Sequence, residues 1–174
     1  MYLVSIYFDE ETNKILNRYI DKLAEKTGNT FMTEHNVPPH ITISQIEARS
    51  ENVLIPYMAQ LRGKLKAGEI SIVSVGMLLP YVLYAAPTLC EYLQDLANEV
   101  YNNFCDIPET IVSRYYNPAS WLPHITLGKK LSKEQLLTAV SIMQTDFAPI
   151  KAKVVEIGLA KVNPHEDVVR FELL

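Results

Sequence analysis

Apolar side chains recur along this chain with two periods. A period of two marks strands, and a spacing of three and four marks helices. Residues 2–8 form the first strand-like run. Asp9 is placed to cap a helix over about 10–26, whose apolar stripe is Ile15, Leu16, Tyr19, Ile20 and Leu23, and Gly28 stops it. Residues 29–38 read as a loop, and Pro38 and Pro39 hold the following segment extended to about Ile46. A helix over roughly 51–65, ended by Gly68, contains Pro56, which delays its start or kinks it. Residues 69–79 form a long strand pattern.

The order then begins again. Residues 81–86 read as a strand, and Pro87 and Thr88 open a helix to about Phe104 with Leu89, Tyr92, Leu93, Leu96, Val100 and Phe104 inward. Residues 105–123 form a loop with a short strand at 110–114. A strand over 124–129 follows, then a helix over 133–144 capped by Ser132, with Glu134 and Gln135 early in it. Strands over 152–162 and 167–173 close the chain, joined at the turn signal Asn163-Pro164. Each half thus reads strand, helix, strand, helix, strand. The expected fold is α+β and two-lobed: antiparallel sheets around a central groove, helices outside, in a single domain over 1–174 with pseudo-repeat halves of about 1–80 and 81–174.

The middle strand of each half carries the same tripeptide. Pro39-His40-Ile41-Thr42-Ile43 recurs as Pro123-His124-Ile125-Thr126-Leu127. Alternation puts His40 and Thr42 on one face of the first copy and His124 and Thr126 on one face of the second. The apolar residues between them pack the other face. His40 lies 36 residues before Gly76, and His124 lies 34 before Gly158, so the repeat extends beyond the tripeptide. A pseudo-two-fold relating the halves would bring both imidazoles into one groove.

Two imidazoles can divide proton transfer, one neutral and accepting, the other protonated and donating. Two hydroxyls beside them can hold the non-bridging oxygens of a phosphate. No metal is required for such chemistry. At these residues, and at Trp121-Leu122-Pro123-His124-Ile125-Thr126-Leu127-Gly128, the chain resembles the 2H phosphoesterase superfamily, which includes the 2′-5′ RNA ligase-like proteins and cyclic phosphodiesterases. The resemblance implies metal-independent hydrolysis of a 2′,3′-cyclic or related phosphodiester, sometimes with reversible 2′-5′ ligation. It makes His40 and His124 the acid–base pair and Thr42 and Thr126 the phosphate holders. RNA ligase-like members often carry an arginine and an aromatic soon after the second motif, where this chain has Lys129-Lys130-Leu131.

The remaining candidates are secondary. Tyr115, Tyr116 and Trp121 can stack on a base or pin their loop to the core. Arg114, Lys129 and Lys130 can attract phosphate or stand solvated. Tyr7 can line the groove or pack inside. His35 and His40 are separated by two prolines, which excludes a helical zinc pair. His165 reads as a turn residue.

Charge and composition narrow the partners. The 174 residues carry 16 basic and 20 acidic side chains, a net charge of −4, which disfavours a long nucleic acid and leaves a nucleotide cyclic phosphate or RNA terminus. Cys90 and Cys105 form no Cys-x-x-Cys pair and read as buried, reduced thiols. The stretch 70–86 is interrupted by Ser71, Ser74, Gly76 and Pro80 and reads as two strands, so no membrane span is expected. The first ten residues read as a strand rather than a leader, giving an expected cytoplasmic location and a monomer. No glycine-rich phosphate loop or nucleotide fingerprint appears, so neither ATP nor another cofactor is expected. The rival expectations are a non-catalytic module that binds RNA ends or nucleotides, and an interaction scaffold.

Overall fold

Ile41 and Ile43 are almost fully buried, so the apolar face of the first motif strand packs the core as its alternation requires. The computed structural model describes residues 1–162 and 164–174. The elements are β1 (Tyr2–Phe8), α1 (Glu10–Thr27), α2 (Phe31–His35), β2 (His40–Glu47), α3 (Ile55–Leu61), β3 (Gly68–Leu78), β4 (Val82–Pro87), α4 (Glu91–Phe104), β5 (Ile111–Val112), β6 (Ile125–Gly128), α5 (Lys133–Asp146), β7 (Ile150–Lys161) and β8 (Glu166–Glu172). The expected turn at Asn163-Pro164 includes Asn163, which lies outside the described residues.

The caps explain two helix starts. The Asp9 carboxylate accepts from the Thr12 amide, and Ser132 forms a reciprocal box with Gln135. Two expected helices begin later. Pro56 falls in the first turn of α3, after a separate 3₁₀ turn at Glu51–Val53, and Gly63, in the left-handed region, ends the helix well before Gly68. Pro87 and Thr88 remain extended because the Thr88 amide donates to Ser71, so α4 starts at Glu91 and Leu89 is exposed. The loop expected over 29–38 contains the short α2. Both cysteines are free and half-buried, not fully buried.

All strands join one antiparallel eight-stranded sheet, ordered β5-β2-β1-β7-β3-β4-β6, with β8 also beside β7. The halves are interwoven at their last strands. The first part of β3 pairs with the first part of β7, from Gly68↔Val154 to Ile72↔Ile150. Beyond that contact each strand crosses into the opposite lobe: β7 continues along β1, and β3 along β4. One lobe is therefore β5-β2-β1-β7-β8 and the other β6-β4-β3. Tyr84 lies opposite Gly76, and Ser5 lies opposite Gly158, so the glycines equivalent by sequence spacing are equivalent in the sheet. Among the described residues no helix is long and apolar enough to cross a membrane.

Candidate active site

His40 opens β2, and His124 immediately precedes β6, so the second imidazole stands at the mouth of its strand rather than within it. The two are held alike. His40 Nδ1 lies 2.8 Å from the Pro38 carbonyl oxygen, and His124 Nδ1 lies 2.9 Å from that of Leu122. A carbonyl only accepts, so Nδ1 donates in both rings. Each Nε2 takes no part in that bond and carries a lone pair when the ring is neutral.

Burial pushes the His40 pKa below its ordinary value. The bond to Pro38 opposes that shift, and positive charge at His165, His124 and Lys129 adds to it. His124 is thus near enough to His40 for its charge to be felt there.

The hydroxyls of the motifs differ in surroundings. Thr42 is nearly buried and its Oγ1 lies 3.3 Å from Ser5 Oγ. Thr126 is half-buried and lies opposite Tyr84 in the sheet. The Tyr84 ring meets His124 edge-on, with centroids 5.4 Å apart. Tyr7 lies opposite His40, with ring centroids 5.9 Å apart. Each histidine therefore has a tyrosine wall, and each wall stands beside a glycine. A Cβ on Gly76 would lie 2.4 Å from the Tyr84 ring, and one on Gly158 would lie 3.2 Å from Tyr7 Cε2. The Tyr84 wall escaped sequence reasoning, although the matched spacing of Gly76 and Gly158 was its signal.

The secondary candidates separate. Tyr7 is 1 % exposed and Trp121 6 %, which leaves neither with a surface to offer a substrate directly. Trp121 instead donates its indole N–H to the Thr42 carbonyl at 3.0 Å. Tyr116 packs against the core, and burial raises its pKa. Tyr115 is exposed, and Arg114 Nη2 donates to its hydroxyl at 3.3 Å. These two sit toward the Gln45 end of β2, where the Ser113 amide bonds the Gln45 carbonyl, away from His40 at the other end. Lys129 and Lys130 are exposed at the end of β6, with their ammonium groups 6.0 and 4.5 Å from the Phe31 ring centroid. His35 stacks on the same ring at 4.1 Å. His165, read as a bare turn residue, lies 3.4 Å from Asp167 and near enough to His40 to influence its charge. Among the described residues no three His, Cys, Asp or Glu side chains gather as a metal site.

A two-lobed antiparallel fold with a histidine and a threonine presented from each lobe is the architecture of a 2H phosphoesterase. Residues 14–166 match the family model of the 2′-5′ RNA ligase superfamily, and the chain belongs to that superfamily. Its fold is similar to that of E. coli LigT complexed with 3′-AMP, at 15 % identity and a TM-score of 0.68, over 99 % of this chain and 97 % of that one. It is also similar to TT0787 of Thermus thermophilus, at 18 % identity and a TM-score of 0.64, over the same shares of the two chains. A further structure described as a phosphoesterase matches at 15 % identity and a TM-score of 0.66, over 99 % of this chain and 97 % of that one. No match was found among curated proteins.

Proposed function

We propose that the protein is a metal-independent phosphoesterase that hydrolyses a 2′,3′-cyclic or 2′-5′ phosphodiester of a nucleotide or RNA end. The carrying observation is the matched anchoring of the two imidazoles, each donating from Nδ1 to a carbonyl two residues before it. That arrangement fixes both tautomers and leaves two Nε2 atoms for proton transfer. His40, whose surroundings disfavour its charged form chiefly through desolvation, is the base, and His124 is the acid.

For a 2′,3′-cyclic substrate the steps balance simply. His40 Nε2 takes a proton from water as the water oxygen bonds to phosphorus. The bond from phosphorus to one ribose oxygen breaks, and His124 Nε2–H protonates that oxygen. Thr42 and Thr126 hydroxyls hold the non-bridging oxygens, where charge accumulates. The product is a phosphate monoester, and the two histidines exchange protonation states before the next turnover. With a 5′-hydroxyl in place of water the same forward steps would join two ends by a 2′-5′ linkage, and their reverse would cleave one to a cyclic phosphate and a free 5′-hydroxyl. Lys129 and Lys130 supply positive charge at the β6 end of the site, toward a substrate that is a nucleotide or an RNA terminus. The 3′-AMP bound to LigT is a nucleotide monophosphate of the kind this reaction releases.

The test is product analysis with the four 2′,3′-cyclic nucleoside monophosphates and 2′-5′ linked dinucleotides, in EDTA, for wild type and for His40→Ala and His124→Ala. The expected result is a 2′- or 3′-phosphate product that each substitution reduces by on the order of 10²-fold or more. Turnover retained in either variant overturns the two-histidine mechanism. Tight binding without product from any substrate leaves a non-catalytic module.

A further inference from the structure

The two imidazoles are anchored alike but backed differently. Beyond β7 on the side away from β1, the first lobe has an additional strand, β8. Among the described residues the second lobe has no strand in that place beyond the outer part of β3. Residues directly opposite one another in antiparallel strands share a face. One row across the first lobe therefore reads His40, Tyr7, Glu156 and Glu172. The next reads Thr42, Ser5, Gly158 and Arg170. Arg170 thus belongs to the same face as the first motif, with β1 and β7 between them.

Gly158 opens the path between them. A Cβ there would lie 3.2 Å from Tyr7 Cε2 and 3.3 Å from Arg170 Cγ. With no side chain in the way, the Arg170 guanidinium lies over the Tyr7 ring, its Cζ 3.6 Å from the centroid. Two carboxylates hold the guanidinium there: Glu156 Oε2 at 2.8 Å from Nε, and Asp167 Oδ2 at 3.6 Å from Nη1. Tyr7 also borders the His40 ring, with centroids 5.9 Å apart.

We propose that Arg170 is a positioning residue for the first motif, clamping Tyr7 so that its ring fixes His40. The role rests on reading His40 as a proton-transfer group. Tyr7 faces Arg170 and Asp167 from β8 and Glu156 from β7. His40 faces His124 and Lys129 from the second lobe and His165 from the turn before β8. Removing Arg170 therefore frees the Tyr7 ring, which borders His40.

The experiment combines kinetics with imidazole nitrogen and carbon chemical shifts followed across a pH series in Arg170→Ala, Arg170→Lys, Tyr7→Leu and the Arg170→Ala/Tyr7→Leu double variant. The expected result is that the His40 signals of Arg170→Ala move while those of His124 stay, and that kcat falls about 10-fold with KM little changed. Tyr7→Leu should lose as much, and the double variant no more than either alone. Arg170→Lys keeps a cation for Glu156 and Asp167 but has no planar group to lie on the ring. It should recover thermal stability without recovering kcat. Unmoved His40 signals, additive losses in the double variant, or full recovery of kcat by Arg170→Lys would overturn the proposal. A wild type that cleaves no phosphodiester would defeat the proposed function alone, since the His40 signals decide on Arg170 without turnover.

Discussion

The Trp121 indole N–H and the Thr42 carbonyl oxygen, 79 residues apart in the chain, meet at 3.0 Å. This bond ties the loop that delivers the second motif to the backbone of the first. It also caps an exposed edge. Along the outer side of β2, β5 covers Ile46 and Glu47, the Ser113 amide satisfies Gln45, and Trp121 satisfies Thr42. Trp121→Phe leaves that carbonyl buried without a partner, at a cost of about 1–3 kcal/mol. The expected outcome is a lowered urea midpoint together with a reduced kcat, since His124 follows three residues later. Unchanged kcat in a destabilised variant would mean that the bond serves the edge alone.

The two glycines that face the tyrosine walls should respond differently to alanine. At Gly76 the new Cβ meets the far end of the Tyr84 side chain, 2.4 Å from Cζ and Oη, and that ring can swing aside. At Gly158 it meets the Val169 carbonyl oxygen at 3.1 Å, a backbone atom held in the β7–β8 ladder. Gly76→Ala should therefore displace Tyr84 from His124 and lower kcat about 10-fold with little loss of stability. Gly158→Ala should cost about 1–3 kcal/mol. Thermal denaturation beside steady-state kinetics separates the two, and equal stability losses would contradict the assignment.

Local pattern carried the motif strands, the helix caps and the repeat, because each of these is set by neighbours within a few residues. Asp9, Ser132 with Gln135, and the alternation around His40 and His124 are signals of that kind. The exchange of β3 and β7 between lobes is not, since periodicity says which residues share a face and nothing about which strand lies alongside. For the same reason Arg170 read as an ordinary strand residue, and Tyr84 went unnoticed beside its glycine. Leu89 fitted the helical stripe, but the Thr88 amide's bond to Ser71 keeps the preceding residues in strand geometry, and the stripe starts after it. The helix expected to run to Gly68 ends at Leu61 because the backbone turns left-handed at Gly63, which apolar spacing does not reveal.

The α5 cap joins two parts of the molecule. Ser132 Oγ accepts from the Gln135 amide, and the Gln135 side chain returns to the Ser132 amide while its Nε2 donates to the Thr27 carbonyl at the end of α1. Ser132→Ala should cost about 0.5–2 kcal/mol, with kcat preserved. Gln135→Ala removes both the cap partner and the tie to α1, so its loss should be the larger of the two. Chemical denaturation of both variants checks the order.

The pH profile tests the assignment of His40 as base. Its pKa lies below the ordinary 6.5, chiefly through burial, with His165, His124 and Lys129 adding positive charge. The base must be neutral to accept a proton, so activity should hold as pH falls through 6.5 and decline only below it, on the acid limb of kcat/KM. The sign for stability follows from the same depression. The folded state disfavours protonated His40, so its contribution is fully present above 6.5 and is lost as pH falls through the lower folded value. His40→Gln should flatten that part of the stability curve. Lys129→Gln removes one of the charges that depress the pKa and should move the acid limb up toward 6.5. An acid limb at or above 6.5 in wild type, or one unmoved or shifted down in Lys129→Gln, would reassign the base to the other imidazole.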